Sequence, residues 1–238
     1  MPVGRPHRHF RTVGSTNQVA RELAGAGAAD GTVVTSDAQS AGRGRQGRQW
    51  STPAGAALAW SLLLRRTVEV PGTLPLQIGV AVCETVEYLG VERARLKWPN
   101  DVLIDGLKCA GVLVEARPRE GWAVVGVGLN LAVDEQDFPE ELRGRATSVG
   151  HRIDPRSATT ALNRFVEARL AAPVDSTLAE MADRDALRGR RVSWQAGPEG
   201  SHTGVAAGID EAGNLLVETA DGTVSLNAGE VHLGGSAL

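Results

Sequence analysis

The sequence predicts an α+β fold in two parts. Residues 1–187 read as a mixed sheet with covering helices, and residues 188–238 as a small all-β unit of the SH3-like barrel type. Three observations carry this. Apolar residues at helical spacing alternate with β-branched runs through the first part. Beyond about Arg188 the helical spacing stops and short strands follow one another between turns. The length, 238 residues, suits one catalytic domain with a small appendage.

Ser15-Thr16-Asn17-Gln18 reads as a helix start, with Gln18 three residues after Ser15 as in a capping box. Val19, Ala20 and Leu23 then form an apolar stripe that stops near Gly25. Thr32 to Thr35 is a short β-branched strand, and Ala57 to Leu64 is an apolar run suited to a buried strand. Leu76, Val80, Cys83 and Val86 recur at helical spacing, so a second helix is expected over Leu74 to Leu89, with Cys83 as inert packing. From Arg95 the pattern turns to strands. Val102-Leu103-Ile104, the turn Asp105-Gly106, and Val112-Leu113-Val114 make a hairpin, with Trp122 to Leu131 beside it. Asp154-Pro155 starts another helix, with Asp as cap and Pro at the first helical position; Leu162, Phe165, Val166 and Leu170 mark its buried face. The tail offers strands at Arg191 to Trp194, Val205 to Ile209, Leu215 to Glu218 and Thr223 to Leu226.

Composition narrows the function classes. The net charge of −3 makes the whole chain no magnet for nucleic acid, so an anion site must be a local cluster. Of the 25 cations only Lys97 and Lys108 are lysines, and a compact ammonium is not interchangeable with the arginine fork. Two cysteines in different contexts fit a reducing compartment, with cytoplasm as the expected location. The basic leader has no apolar h-region behind it, and no apolar run approaches the ~20 residues of a spanning helix. The histidines and cysteines show no paired metal-ligand spacing.

Four segments carry polar chemistry. In Gln39 to Trp50, glycine and arginine alternate between two strands, giving exposed backbone N–H groups and guanidinium forks that can wrap a phosphate or carboxylate. A solvated basic loop and an RGG-like nucleic-acid segment are the competing readings; against the latter, the run is short and has a single aromatic. Lys97-Trp98-Pro99-Asn100-Asp101 sits at a strand end. Asp101 is a candidate magnesium ligand there, since Mg²⁺ takes one or two carboxylates and keeps its waters, although Pro-Asn-Asp is also ordinary turn chemistry. Lys108 lies beside a hairpin turn, with Gly111 three residues on. Gly126-Val127-Gly128-Leu129-Asn130 alternates glycine within a strand, marking a bulge or a close approach of backbone or ligand.

Together with Ser15-Thr16-Asn17, these segments resemble the biotin–protein ligase family. Its pattern is a Ser-Thr-Asn, a G-R-G-R-x-G-R-x-W loop, K-W-P-N-D, K-x-x-G-[IV]-L-x-E and G-x-G-x-N, and all five occur here in that order. The resemblance runs from about Ser15 to the end, where Gly229-Glu230-Val231 matches the family's C-terminal barrel. It implies a mixed-sheet core similar to that of class II aminoacyl-tRNA synthetases, followed by an SH3-like barrel.

The same resemblance implies an enzyme that joins biotin to ATP as biotinyl-5′-AMP, expected to need Mg²⁺. Biotin then passes to a lysine of a biotin carboxyl carrier domain such as that of acetyl-CoA carboxylase. Ser15, Thr16 and Gln39 would bind the ureido ring and its surroundings, with Asn17 beside them. Arg43, Gly44 and Arg45 would close over the intermediate, within a loop that includes Gly42 and Arg48 and is supported by Trp50. Lys108 would meet the biotin carboxylate and the phosphoryl group, Gly111 would let backbone approach the ring, and Asn130 would face adenosine. Lys97, Asn100 and Asp101 complete the set. Lys108 and Arg43 are the expected catalytic residues, with no enzyme nucleophile. Some relatives carry an N-terminal helix-turn-helix; with Ser15 so near the start, the expectation is an enzyme without sequence-specific DNA binding, acting as a monomer or weak homodimer. A lipoate or octanoate ligase is the nearest alternative.

Overall fold

The computed structural model describes residues 1–65, 72–150, 153–195, 200–227 and 229–233. Two sheets and four helices organise them. The larger sheet has seven strands in the order β1-β2-β3-β7-β6-β5-β4. These are β1 (His7–Val13), β2 (Val33–Gln39), β3 (Ala57–Arg65), β4 (Arg95–Lys97), β5 (Asp101–Ile104), β6 (Leu107–Arg117) and β7 (Trp122–Asn130). Only β1 and β2 run parallel; the remaining neighbours are antiparallel.

Both faces of the central strands are largely covered, which is why Ala57 to Leu64 reads as an apolar run broken only by Ser61. Alternate side chains of β3 go to opposite faces. Leu58, Trp60, Leu62 and Leu64 enter the large core with helices α2 (Leu74–Tyr88) and α3 (Pro155–Ala171). Leu63 faces the other way, packing with Ala20 and Ala24 of α1 (Thr16–Gly25) and with Val124 of β7. Each fully buried leucine of this kind stabilises the fold by about 1.5–3 kcal/mol relative to exposure. Helix α4 (Val174–Arg184) packs on α2. Its Glu180 lies between Arg169 of α3 and Arg184, and Arg169 also grips Glu84 of α2 through two nitrogens, at 2.9 and 2.5 Å.

The smaller sheet is antiparallel, with five strands in the order β11-β10-β9-β8-β12. They are β8 (Arg191–Gln195), β9 (Ser201–Ile209), β10 (Leu215–Thr219), β11 (Gly222–Leu226) and β12 (Val231–Leu233). No pairing joins β11 to β12 among the described residues, so these strands form an open sheet and not a closed barrel. Val192, Trp194, Ala206, Leu215 and Val217 belong to the same apolar cluster as the main core. The tail is therefore packed onto the first part, and Trp98 Nε1 donates across the junction to the Gly213 carbonyl at 3.0 Å.

Most expected elements occur within a residue or two of their predicted bounds, including the hairpin through Asp105 (φ 51) and Gly106 (φ 83). Asp154 caps α3 through the backbone N–H groups of Arg156 and Ser157. One local expectation is corrected. Ser15 stands at the N-cap of α1, yet its side chain caps nothing, and Gln18 donates to Glu22 at 3.0 Å. No capping box forms, because the Gln18 side chain turns along the helix to Glu22 instead of back to Ser15; the Thr16 N–H donates to Gln39 Oε1 of β2 at 2.8 Å. Strands β1 and β4 and helix α4 carry no clear periodic signal; β1 is an exposed basic edge strand, with no buried residue to set an alternation.

Candidate active site

The face of the sheet below the α1 N-terminus is kept open by small residues. Gly126 and Gly128 of β7 point to this face, since Val125, Val127 and Leu129 fill the opposite core. A Cβ on Gly126 would collide with Asn17 Oδ1, and one on Gly128 with the Trp50 indole. The alternating glycines thus serve close approach, with the Trp50 indole against Gly128 and the Asn17 amide against Gly126.

A β-bulge determines where Lys108 goes. Val102 pairs with Ala110, but Leu103 pairs with Lys108, leaving Cys109 as the extra residue. Cys109 and Ala110 are then both fully buried in the core, and Lys108 emerges on the pocket face beside Gly111. Strict alternation would have turned it into the core. Lys108 Nζ stands 2.6 Å from Asp101 Oδ1 and 6.0 Å from the centre of the Trp50 ring. Its backbone is clamped by residues 145–147, through its N–H on Arg145 O and the Thr147 N–H on its own carbonyl.

The arginine loop folds as a tight hairpin. Arg43 bridges Gln49, Gly44 N–H donates to Arg48 O at 2.7 Å, and Gln46 and Gly47 take left-handed φ values of 55° and 76°. Two of its arginines are tied down. Arg45 donates to Asn100 Oδ1 at 2.9 Å and to the Gly229 carbonyl at 3.2 Å, while Arg48 pairs with Glu230. Arg43 is exposed at the rim and makes no side-chain ion pair among the described residues. Burial lowers the Arg45 and Lys97 pKa values below their ordinary range, against the opposing pull of Asp101 and Glu230. Both cations are thus held in a partly dry site, where a bound anion would stabilise them.

One pocket gathers the predicted residues: Ser15, Thr16, Asn17, Gln39, Arg43, Gly44, Arg45, Arg48, Trp50, Lys97, Asn100, Asp101, Lys108, Gly111 and Asn130 all line it. Gly42 lies behind, its carbonyl accepting from the Trp50 N–H at 3.0 Å. Asn130 is 3% exposed; its Nδ2 donates to Thr147 O, and its Oδ1 has no hydrogen-bond partner among the described residues. A buried amide oxygen left open in a pocket suits a ligand donor.

The sequence reading assigned no role to Ser61 and Glu115, which join Asn17 on the pocket face of the sheet, nor to Glu230 or the covering segment that contains Phe138, Leu142 and Ala146. Glu115 closes a quoted motif and Glu230 lies in the matched tail; the covering segment carries no periodic signal. Cys83 is buried in the core as expected, and Cys109 is buried as well; burial raises the Cys83 thiol pKa and pushes that of Cys109 up to about 12. As to a cation, no group of three His, Cys, Asp or Glu side chains stands together among the described residues, and Asp101 is engaged by Lys108. The protein residues do not form a metal cage by themselves. No helix among the described residues is long and apolar enough to cross a membrane.

Comparison with known proteins agrees with this geometry. Residues 10–131 match the biotin/lipoate A/B protein ligase family, and residues 189–234 match the biotin protein ligase C-terminal domain. The chain is 37% identical to the biotin–[acetyl-CoA-carboxylase] ligase of Mycobacterium tuberculosis, over 92% of this chain and 86% of that protein. It is 34% identical to the protein of the same name from Paracoccus denitrificans, over 93% and 98%. With the bifunctional ligase/repressor BirA of Bacillus subtilis the figures are 33% over 98% of this chain and 75% of that one. Among solved structures, the biotin protein ligase of Aquifex aeolicus in complex with biotin and ATP superposes with a TM-score of 0.83 at 29% identity, covering 97% and 99% of the two chains. The likeness covers nearly the whole chain, and on that footing the chain belongs to the biotin protein ligase family.

Proposed function

We infer that this protein is an ATP-dependent biotin–protein ligase acting on a biotin carboxyl carrier domain. The observation that carries this is one pocket holding an ammonium on a bulge (Lys108), an unpaired guanidinium (Arg43), and a polar cradle at the α1 N-terminus (Thr16 with Gln39), separated by the Trp50 indole. An apolar bicyclic acid with a polar ring at one end and a carboxylate at the other matches this spacing of groups.

The charges follow from the chemistry. A carboxylate is a poor electrophile, so an oxygen of the biotin carboxylate attacks the α-phosphorus of ATP. The P–O bond to pyrophosphate breaks, leaving the mixed anhydride biotinyl-5′-AMP. Both reactants are anionic. Lys108, held beside Asp101 as an ion pair, presents ammonium donors to the carboxylate and phosphoryl oxygens, and Arg43 supplies the second cation. Asn130 Oδ1 offers an acceptor on the adenosine side. Asp101 would be the residue to hold magnesium, which would supply charge neutralisation for the ATP phosphates. The anhydride hydrolyses easily, so closure of the Arg43 to Arg48 hairpin over it, with a change of order on ligand binding, is part of the reading. A carrier lysine amine then attacks the carbonyl carbon, and AMP leaves with the electron pair of the C–O bond. The ligand needs no covalent bond to the enzyme.

An SH3-like strand arrangement, open between β11 and β12, belongs to the same reading, supported by a strand order in which β12 returns to pair with β8. Lipoate is the competing acid, since the family matched by residues 10–131 includes lipoate ligases; the C-terminal match to biotin protein ligases and the polar cradle favour biotin. Calorimetry with each acid decides between them: biotin binds and lipoate does not, and the opposite outcome sinks the biotin reading.

A further inference from the structure

A chain of hydrogen bonds runs along the pocket face of the sheet, and its polarity is set at one end. Arg21 Nη1 donates to Glu115 Oε1 at 2.9 Å, and Asn17 Nδ2 donates to Glu115 Oε2 at 2.8 Å. Asn17 Oδ1 lies 2.6 Å from Ser61 Oγ, and Ser61 Oγ lies 2.7 Å from Thr16 Oγ1. Thr16 Oγ1 in turn is 3.2 Å from Gln39 Oε1, which already accepts from the Thr16 N–H. Ser61, Thr16 and Asn17 are at most 4% exposed, so water cannot stand in for a missing partner.

Each hydroxyl has one hydrogen, which fixes the direction. The Glu115 carboxylate offers only acceptors, so Asn17 must present its NH₂ there and its oxygen to Ser61. An amide oxygen cannot donate; the Ser61 hydrogen therefore goes to Asn17. The 2.7 Å contact between Ser61 and Thr16 is then made by the Thr16 hydrogen. Thr16 Oγ1 and Gln39 Oε1 are left as two acceptors 3.2 Å apart with no hydrogen between them. A ligand N–H fits that gap.

We propose that Glu115 is a positioning residue that determines specificity: acting through Asn17 and Ser61, it holds the Thr16 hydroxyl as an acceptor, so that the cradle selects a ring N–H. This rests on the biotin reading, in which that N–H belongs to the cyclic urea. Ligands with no N–H at this end meet two lone pairs and are rejected.

The Glu115→Gln variant tests the direction of the chain. With Arg21 in place, the new amide must turn its oxygen to Arg21 and its NH₂ to Asn17. Asn17 then turns over, Ser61 donates to Thr16, and Thr16 becomes a donor. Calorimetry is done on wild type and variant with biotin and with its two cyclic carbamate analogues, in each of which one ring N–H is replaced by oxygen. Wild type favours biotin over one of the analogues by more than about a hundredfold. In Glu115→Gln that ratio falls at least about tenfold, through weaker biotin binding without matching loss for the analogue. Ser61→Ala breaks the chain at another link and gives the same fall, and the double variant adds nothing further. Equal weakening of biotin and analogue in both variants would mean a merely structural role and overturns the proposal. If wild type binds neither biotin nor analogue, the biotin reading itself fails, and the proposal with it.

Discussion

Single residues carry the chemistry, and two of them give direct predictions. Lys108 reaches the pocket only because of the bulge at Cys109, and it is the ammonium nearest Trp50 and Asp101. Lys108→Ala lowers the rate of biotin-dependent ATP–pyrophosphate exchange by roughly 10²–10³-fold, the usual cost of losing one preorganised electrostatic donor; an undiminished rate removes it from the mechanism. Lys97 is depressed by burial. An anionic ligand favours its charged form, so adenylate affinity is full below that lowered pKa and weakens as pH rises through it. Calorimetry against pH reads this slope, and Lys97→Met flattens it; a variant with the wild-type pH profile contradicts the assignment. These lysines were legible in the sequence because they are the only two. The bulge that aims Lys108 was not, since an extra residue in a strand shows only once the partner's register is known. Ser61 was equally hidden: within an apolar strand a serine reads as a core substitution until Asn17 and Thr16 are brought over it.

Whole elements, not single side chains, set the shape of the pocket. The N-terminus of α1 is satisfied by Gln39 from another strand, which joins the helix to the cradle it forms. The G-x-G of β7 makes room for Asn17 and Trp50. Gly128→Ala displaces the indole and destabilises the fold by about 1–3 kcal/mol, as overpacking does, with loss of biotin binding; a variant that melts and binds as wild type shows that Trp50 does not need this approach. The arginine hairpin, read as an anion-site candidate, lines the pocket, but its anchors come from residues 55 and more positions away, Asn100, Gly229 and Glu230. Local spacing holds no trace of such contacts. The Arg48–Glu230 pair is largely exposed and contributes little to global stability, so Glu230→Ala is expected to leave the melting temperature nearly unchanged while speeding proteolysis of the loop in the unliganded protein. Unaltered cleavage kinetics means the pair does not hold the hairpin.

The molecule as a whole joins its two parts by a shared core and by the Trp98 to Gly213 hydrogen bond. Sequence patterning gave the class of each part, because helical and strand periods report which faces are buried. It did not report their docking, which depends on apolar side chains of β8, β9 and β10 meeting the main core. A core shared in this way predicts a single cooperative unfolding transition in calorimetry, with Trp98→Phe lowering stability by about 1 kcal/mol through the lost bond; two separate transitions contradict it. The two parts meet at the pocket, where Glu230 and Gly229 touch the arginine loop. The most direct test of the activity is mass spectrometry of a biotin carboxyl carrier fragment after incubation with the full chain, biotin and ATP. One biotinyl group on a single lysine, absent without ATP, is the expected result; an unmodified carrier, or one modified only when lipoate replaces biotin, contradicts it.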